Sequence, residues 1–421
     1  MSDQSAKTVS QEVTLTPYSW VVAGFCFLTW AASMLTRFAW STSIGKAAPD
    51  LGISMVAAGG LMTAFYVGYV VGNFFSGFFV DSLGPRKVLA AASLLTGLFT
   101  LLIPFVSGYV PIFILRVLAG ISAGPLFAGG TKMQLAWFPG KMRGLAMQFV
   151  MSGAALGTFI ATAGLAPIIE SQGWKPAFTY AGIASLIIGF LTLLFAKERG
   201  IALVRQDKSA AQKKSAEEKQ EERKNLLELL KQKQFIVGSL IMLLNLGAGN
   251  GFSTWAIVYF TESHGFSLIQ AGAILGGTRL LGLFSGPLSG FISDRLGNRK
   301  TCIYIGFMAN FVCTMGLLLT KNVSMLWALM IARTFLASLG GNMNTLMAES
   351  FAGPYAGRVM GIYNMICQLG SVIFPVVLGL VLDVTGSFFA VMTTVACTFL
   401  VMALGVTQMK ETLKTEVAKT A

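Results

Sequence analysis

The sequence predicts an all-α membrane protein in which twelve transmembrane helices form two six-helix bundles related by a parallel repeat. Three observations support this fold class: long apolar runs, an asymmetric distribution of basic residues, and an internal repeat. The chain has 421 residues, of which 54% are hydrophobic and only 12% are charged, a composition typical of membrane proteins. Twelve apolar runs of about 20 residues are each long enough to cross a hydrocarbon core of ~30 Å.

The apolar runs fall into two sets of six. We expect a cytoplasmic tail at 1–17, an N-terminal bundle at 18–196, a linker at 197–233, a C-terminal bundle at 234–407 and a second tail at 408–421. The first run is too long for the core of a signal peptide and lacks a small-residue cleavage site, so we expect it to be retained. In the linker, residues 215–233 carry Glu and Lys at helical spacing, which predicts a solvated helix.

The basic residues indicate membrane topology rather than a nucleic-acid partner. The formal net charge is +13, yet only Lys46, Lys175 and Lys321 are expected in external loops. Some lie within or at the ends of predicted helices, namely Arg37, Arg116, Lys132, Arg279 and Arg333, and all the others fall in cytoplasmic segments. This distribution follows the positive-inside rule. It predicts a multi-pass protein of the inner membrane, surrounded by the lipid bilayer, with both termini in the cytoplasm.

An internal repeat relates the two halves. The stretch GFFVDSLGPRK at 77–87 returns as GFISDRLGNRK at 290–300, with every shared residue displaced by 213 positions. The same displacement relates Gly144 to Gly357 and Gly157 to Gly370. Parallel repeats in transporters place the substrate site at their interface, near the middle of the bilayer.

The repeated stretch carries the pattern Gly-x3-Asp-x2-Gly-x-Arg-Lys, which resembles the signature loop of the major facilitator superfamily. The resemblance implies a gating role for four residues: Asp81, Arg86, Asp294 and Arg299. Either aspartate can meet a helix N-terminus or a nearby arginine and hold the inward gate shut. The alternative is that the basic residues of these loops only anchor the topology.

A second block, which runs from Arg116 through Pro125 and Lys132 to Gly144, resembles the helix 4 to helix 5 signature of the anion:cation symporter family within that superfamily. Arg333 is the corresponding motif arginine of helix 10, four residues out of register. The chain departs from this family at Ala123, where the family commonly has an acidic residue for proton coupling. The first helix also resembles that of bacterial monocarboxylate porters.

The ionisable residues expected inside the membrane are all basic. Every Asp and Glu can be placed in a tail, a loop or a helix end. Arg37 lies on a polar and aromatic face of helix 1, and Arg279 lies on a glycine-rich face of helix 8. Because an intramembrane charge is costly, such a residue usually lines a water-filled cavity or has a partner, and a bound anion would provide one. The alternative is a structural arginine that binds backbone carbonyls or extends to the interface.

Uncharged side chains complete the expected substrate site, although each could instead bond neighbouring helices. They are Trp40, Tyr66, Gln148, Asn250, Asn342, Tyr363 and Asn364. Tyr66 is the repeat counterpart of Arg279, and Asn250 is that of Arg37. The glycine-rich stretch 247–251 predicts a break in helix 7 that would expose backbone carbonyls.

These observations favour a secondary transporter that takes up a small organic anion, a carboxylate or a sulfonate, by alternating access as a symporter or exchanger. An efflux antiporter of the same superfamily is the main alternative, and a channel or membrane sensor is the alternative of another class. No nucleophile with a base, metal cluster or phosphate-binding loop indicates an enzyme or a cofactor. The five cysteines show no paired spacing. We expect a monomer, with H+ open as a coupling ion.

Overall fold

The computed structural model describes residues 15–199, 216–351 and 356–412. Within these residues, twelve helices are long and apolar enough to cross a membrane, which confirms the predicted fold class. We number them α1 (Pro17–Leu51), α2 (Met55–Phe74), α3 (Pro85–Phe105), α4 (Tyr109–Trp137), α5 (Leu145–Gln172), α6 (Trp174–Phe195), α7 (Lys233–His264), α8 (Leu268–Leu296), α9 (Arg299–Leu319), α10 (Val323–Ser350), α11 (Val359–Thr385) and α12 (Phe388–Thr407). Residues 1–14 and 413–421 of the expected tails and residues 200–215 of the expected linker lie outside the described residues.

Helices α1–α6 form the N-terminal half and α7–α12 form the C-terminal half. A linker helix (Ala216–Lys231) precedes α7, and we call the end of the bundle that carries it the linker end. The opposite end, where α1 meets α2 and α7 meets α8, is the far end. The signature loops at 77–87 and 290–300 both lie at the linker end, as the repeat requires.

Two glycines related by the repeat allow close helix crossings in the two halves. A Cβ atom on Gly157 of α5 would overlap the carbonyl oxygen of Ala31 in α1. A Cβ atom on Gly370 of α11 would overlap the carbonyl oxygen of Leu243 in α7 in the same way. The repeat therefore preserves backbone contacts as well as loop sequence.

The expected break in α7 is wrong, because the helix is continuous from Lys233 to His264. Two of the three glycines in the stretch 247–251 serve packing instead, while Gly249 lines the cavity between the halves. A side chain on Gly247 would overlap the ring of Phe374 in α11, and one on Gly251 would lie 2.7 Å from Cδ1 of Leu378. Small residues at these positions let two helices approach closely, so they do not interrupt the helix.

The two halves pack together at the far end. A Cβ atom on Gly379 of α11 would lie 2.7 Å from the carbonyl oxygen of Met55 at the far end of α2. Nearer the middle of both helices, the hydroxyl of Thr63 in α2 donates to the carbonyl of Val372 in α11, at 2.6 Å. On the other side of the bundle, a Cβ atom on Gly272 of α8 would overlap the carbonyl oxygen of Thr162 in α5. These α2–α11 and α5–α8 contacts close the space between the halves on the far side.

Candidate functional site

A cavity of about 670 Å³ lies between the halves, on the linker-end side of the far-end contacts. Side chains from both halves line it, and the principal polar ones are Arg37, Gln148, Asn250, Arg279, Asn310 and Arg333. Among the lining residues that the structure describes there is no Asp or Glu. The cavity is therefore positively charged, and its charge comes from guanidinium groups alone.

Arg279 extends from α8 into the cavity. One of its terminal nitrogens, Nη2, donates to the hydroxyl of Ser253 in α7. No atom lies within 4 Å of a Cβ atom placed on Gly282 or Gly286, the next glycines along the same helix. The glycine-rich face of α8 thus has two functions, since Gly272 packs against α5 while Gly282 and Gly286 leave open space beside the arginine.

Arg333 faces the same cavity from α10. Its Nε donates to Oδ1 of Asn310 in α9, at 3.1 Å. Its guanidinium carbon lies 3.9 Å from the ring centroid of Phe252 and 5.8 Å from that of Phe399. Cation–π contacts of this kind hold a guanidinium in place without neutralising it.

Arg37 places a third guanidinium at the cavity wall, from α1. The residue is only 7% exposed. Its guanidinium carbon lies 4.6 Å from the ring centroid of Tyr69, 5.0 Å from that of Phe65 and 5.3 Å from that of Tyr66. Its Nε and Nη2 have no hydrogen-bond partner among the described residues, although buried polar groups are normally paired.

Arg116, the motif arginine of α4, does not line the cavity. It is fully buried, and its guanidinium donates to three backbone carbonyls. Nε donates to Leu61 at 3.1 Å, Nη1 to Thr36 at 3.3 Å and Nη2 to Arg37 at 3.3 Å. These bonds join α4 to α1 and α2, so in this structure Arg116 has the structural role that the sequence left open.

Two of the uncharged candidates line the cavity. Gln148 does so from α5 and Asn250 from α7. The Asn250 side chain also donates to the hydroxyl of Ser371 in α11, at 2.8 Å.

The other five uncharged candidates are absent from the lining residues that the structure describes. Trp40 is buried and donates through Nε1 to the carbonyl of Ala58 at 2.8 Å. The ring centroid of Tyr66 lies 5.3 Å from the guanidinium carbon of Arg37. Asn342 donates to the carbonyl of Leu339 at 3.0 Å. Tyr363 donates to Oδ1 of Asn344 at 3.2 Å, and Asn364 is exposed elsewhere.

Sequence reasoning missed several lining residues. Asn245, Ser253 and Asn310 belong to the cavity or bind its arginines. Ser253 lies three residues after Asn250, on the same face of α7, so helical spacing was a usable signal. The repeat gave no signal for Asn310, because its counterpart is Gly97.

Three of the four expected gating residues, Asp81, Asp294 and Arg299, form ion pairs inside their own half at the linker end. Asp81 pairs with Lys132 of α4, with 2.8 Å between Oδ1 and Nζ. In the C-terminal half, Arg299 pairs with Asp294 at 3.0 Å and with Glu349 of α10 at 2.7 Å. Arg86 donates through Nε to the carbonyl of Leu193 at 3.2 Å.

A further pair of acids extends the repeat to the end of each half. Oε1 of Glu198 accepts from the backbone N–H of Arg86 at 3.2 Å. The carboxylate of Glu411, 213 positions later, accepts from the backbone N–H groups of Arg299 at 3.3 Å and Lys300 at 2.8 Å. Each acid therefore caps the helix that follows the signature loop of its own half. These two residues were placed in the linker and the tail by sequence and were not recognised as a pair.

Twelve membrane helices in two repeated halves, with a polar cavity between them, define a membrane transport carrier. The model of the Major Facilitator Superfamily matches residues 25–375, and the chain belongs to this superfamily. This confirms the resemblance seen in the signature loops.

Curated relatives match nearly the whole chain. The "Probable galactarate/D-glucarate transporter GudP" of Escherichia coli is 27% identical, with 92% of each chain covered. The "Hexuronate transporter" of Bacillus subtilis is 26% identical, with 86% of this chain and 88% of the relative covered. The "Probable sulfoacetate transporter SauU" of Cupriavidus necator is 25% identical, with 82% and 84% covered.

Solved structures show the same fold. A bacterial homologue of the human lysosomal transporter Spinster superposes with a TM-score of 0.75 at 14% identity, over 94% of this chain and 97% of that one. A D-xylose–proton symporter gives a TM-score of 0.74 at 16% identity, over 94% and 99%. At these identities the likeness concerns the fold alone.

Proposed function

We propose that this protein transports a small organic anion, a carboxylate or a sulfonate, across the inner membrane by alternating access. The observation that carries the proposal is the convergence of Arg37, Arg279 and Arg333 on one cavity whose described lining contains no acidic side chain. The bundles 18–196 and 234–407 would act as the two moving units of a monomer.

The energetic argument is that unpaired arginines are costly inside a membrane. Insertion scales assign about 2.5 to 3.5 kcal/mol to an arginine at the centre of a membrane helix. Arg279 and Arg333 each donate to a neutral side chain, which leaves their charges uncompensated by the protein. A bound anion would compensate them through charge-assisted hydrogen bonds, whereas a cationic drug would be repelled.

The relatives support the same substrate class. The names of three of them give galactarate or D-glucarate, hexuronate and sulfoacetate, all of which are organic anions. An arginine binds carboxylates and sulfonates through similar geometry, so the cavity fits either acid group.

Topology and coupling follow from the same charges. The excess of Lys and Arg at the linker end favours a cytoplasmic location for that end and for both termini. The closed far end would then face outward, and the structure would correspond to an inward-facing state. With no carboxylate among the described lining residues, coupling would use the charge of the substrate, in exchange or in symport with H+ carried by its own acid group.

The proposal is tested by counterflow in proteoliposomes loaded with D-glucarate, D-glucuronate or sulfoacetate. We expect at least one of these anions to exchange. Arg279→Gln should raise its apparent KM at least tenfold, because hydrogen bonds to charged groups contribute about 1.5 to 3 kcal/mol. Arg279→Lys should recover part of the loss, since a point charge cannot replace the planar fork.

Lys175→Gln is the matched control. It removes one positive charge from an exposed far-end position outside the cavity and should leave KM unchanged. Each variant is first shown to be monodisperse after purification. An unchanged KM in Arg279→Gln, or no exchange of any of the three anions by the unmodified protein, would contradict the proposal.

A further inference from the structure

The cavity distributes its positive charge unequally between the two halves. Arg279 and Arg333 belong to the C-terminal half, whereas Arg37 belongs to the N-terminal half. One acid group placed between Arg279 and Arg333 would satisfy the C-terminal half alone. The charge of Arg37 would stay uncompensated, since the described lining offers it no carboxylate.

The three guanidinium groups also differ in their hydrogen bonds: those of the C-terminal half have protein partners, whereas that of the N-terminal half has two nitrogens without one among the described residues. Arg279 and Arg333 each donate to a protein side chain, Ser253 and Asn310 respectively. Arg37 has two buried nitrogens, Nε and Nη2, without a partner among the described residues. These two nitrogens form one edge of the guanidinium, and that edge binds the two oxygens of a carboxylate in the bidentate geometry.

The surroundings of Arg37 hold its charge, and the described residues that line the cavity offer it no carboxylate. The rings of Phe65, Tyr66 and Tyr69 surround the guanidinium carbon at 4.6 to 5.3 Å. The Tyr66 hydroxyl, also buried, has no hydrogen-bond partner in the described part of the chain. Both nitrogens of the Nε–Nη2 edge are buried in this structure. To bind an acid group, the Arg37 side chain must therefore turn away from these rings and toward the cavity, which the residue already lines.

We infer that the transported anion carries two acid groups, one bound by Arg279 and Arg333 and the other by the Nε–Nη2 edge of Arg37, with the Tyr66 hydroxyl as an additional donor. This inference rests on the proposed function and narrows it to dianions. A dianion joins the two halves through their arginines. A monoanion is held by the C-terminal half alone.

The test uses two pairs of probes in which one carboxylate is replaced by a hydroxymethyl group. D-Glucarate is compared with D-gluconate, and sulfoacetate with 2-hydroxyethanesulfonate, as competitors in counterflow and as ligands in a binding assay on purified protein. We expect the unmodified protein to bind the dianion of at least one pair about tenfold or more tightly than its monoanion.

The variants locate the second acid group. Arg37→Gln should lower the affinity for the dianion to that for the monoanion while changing monoanion affinity less than about threefold. Arg279→Gln should weaken both members of the pair. Tyr66→Phe keeps the ring and should lower dianion affinity only, by about three- to tenfold. Arg37→Lys should restore part of the preference for the dianion.

Two outcomes would overturn the inference and leave the proposed function standing: equal affinities of the unmodified protein for both members of each pair, or equal weakening of both by Arg37→Gln. Binding of none of the four anions by the unmodified protein would instead remove the proposed function and this inference together.

Discussion

Asp383 is expected to hold the far end closed. Its Oδ1 accepts from the backbone N–H of Met55 at 3.1 Å, and its Oδ2 accepts from that of Val56 at 3.0 Å. These are the first two N–H groups of α2, which have no partner within their own helix and carry the positive end of its dipole. Because Asp383 belongs to α11, the contact exists only while the two halves are together at this end.

The size of the effect follows from the position of the carboxylate. A carboxylate at an exposed helix N-terminus stabilises by about 0.3 to 1 kcal/mol, and loss of a capping side chain costs about 1 kcal/mol. Asp383 is exposed, so about 1 kcal/mol is the appropriate upper value. That free energy corresponds to an approximately fivefold change in the ratio of far-end-open to far-end-closed protein. The bond from Thr63 to Val372 remains, so closure is weakened and not abolished.

The measurement is a distance distribution between spin labels at Gln172 and Lys321, two exposed far-end positions in opposite halves, with the exposed Cys397 replaced by Ser. In lipid nanodiscs, Asp383→Ala should increase the odds of the longer distance about fivefold. Asp383→Asn should shift them less, because its amide oxygen can still accept one bond.

Glu170→Ala is the control for that experiment. Glu170 is the repeat counterpart of Asp383, is exposed at the end of α5, and has a carboxylate without a hydrogen-bond partner among the described residues. An unchanged distribution in Asp383→Ala, or an equal shift in Glu170→Ala, would refute the assignment of a latch to Asp383.

Two further predictions concern stability. Gly370→Val should lower the thermal midpoint of the detergent-purified protein by several degrees. The reason is that its Cβ would overlap the carbonyl oxygen of Leu243, and overpacking costs about 1 to 3 kcal/mol. Gly361→Ala is the control and should have little effect, because nothing lies within 4 Å of its Cβ. Arg116→Gln should also lower the midpoint, since the three hydrogen bonds that join α4 to α1 and α2 are lost. The remaining folded protein should keep its anion affinity. A loss of affinity without a loss of stability in Arg116→Gln would contradict its structural role.

The sequence by itself determined the architecture. Helix positions follow from apolar runs because a chain in lipid must satisfy its backbone hydrogen bonds within each spanning segment. The division into two halves follows from the repeat, whose shared residues are displaced by 213 positions. In the structure, the repeat-related residues Gly157 and Gly370 make equivalent close helix crossings. The basic character of the interior was also visible, since it requires only that acidic residues be absent from the apolar runs.

Only the tertiary structure decided which polar residues face the cavity. Arg116 and Arg333 occupied similar places in a sequence motif, yet Arg116 binds carbonyls of α1 and α2 while Arg333 reaches Asn310 at the cavity wall. Likewise, Glu198 and Glu411 became recognisable as caps only where the ends of α6 and α12 met the helices that follow the signature loops. The physical reason is that local sequence sets whether a segment crosses the membrane, whereas the direction and partner of a long side chain depend on helices that are distant in sequence and meet only in the packed bundle.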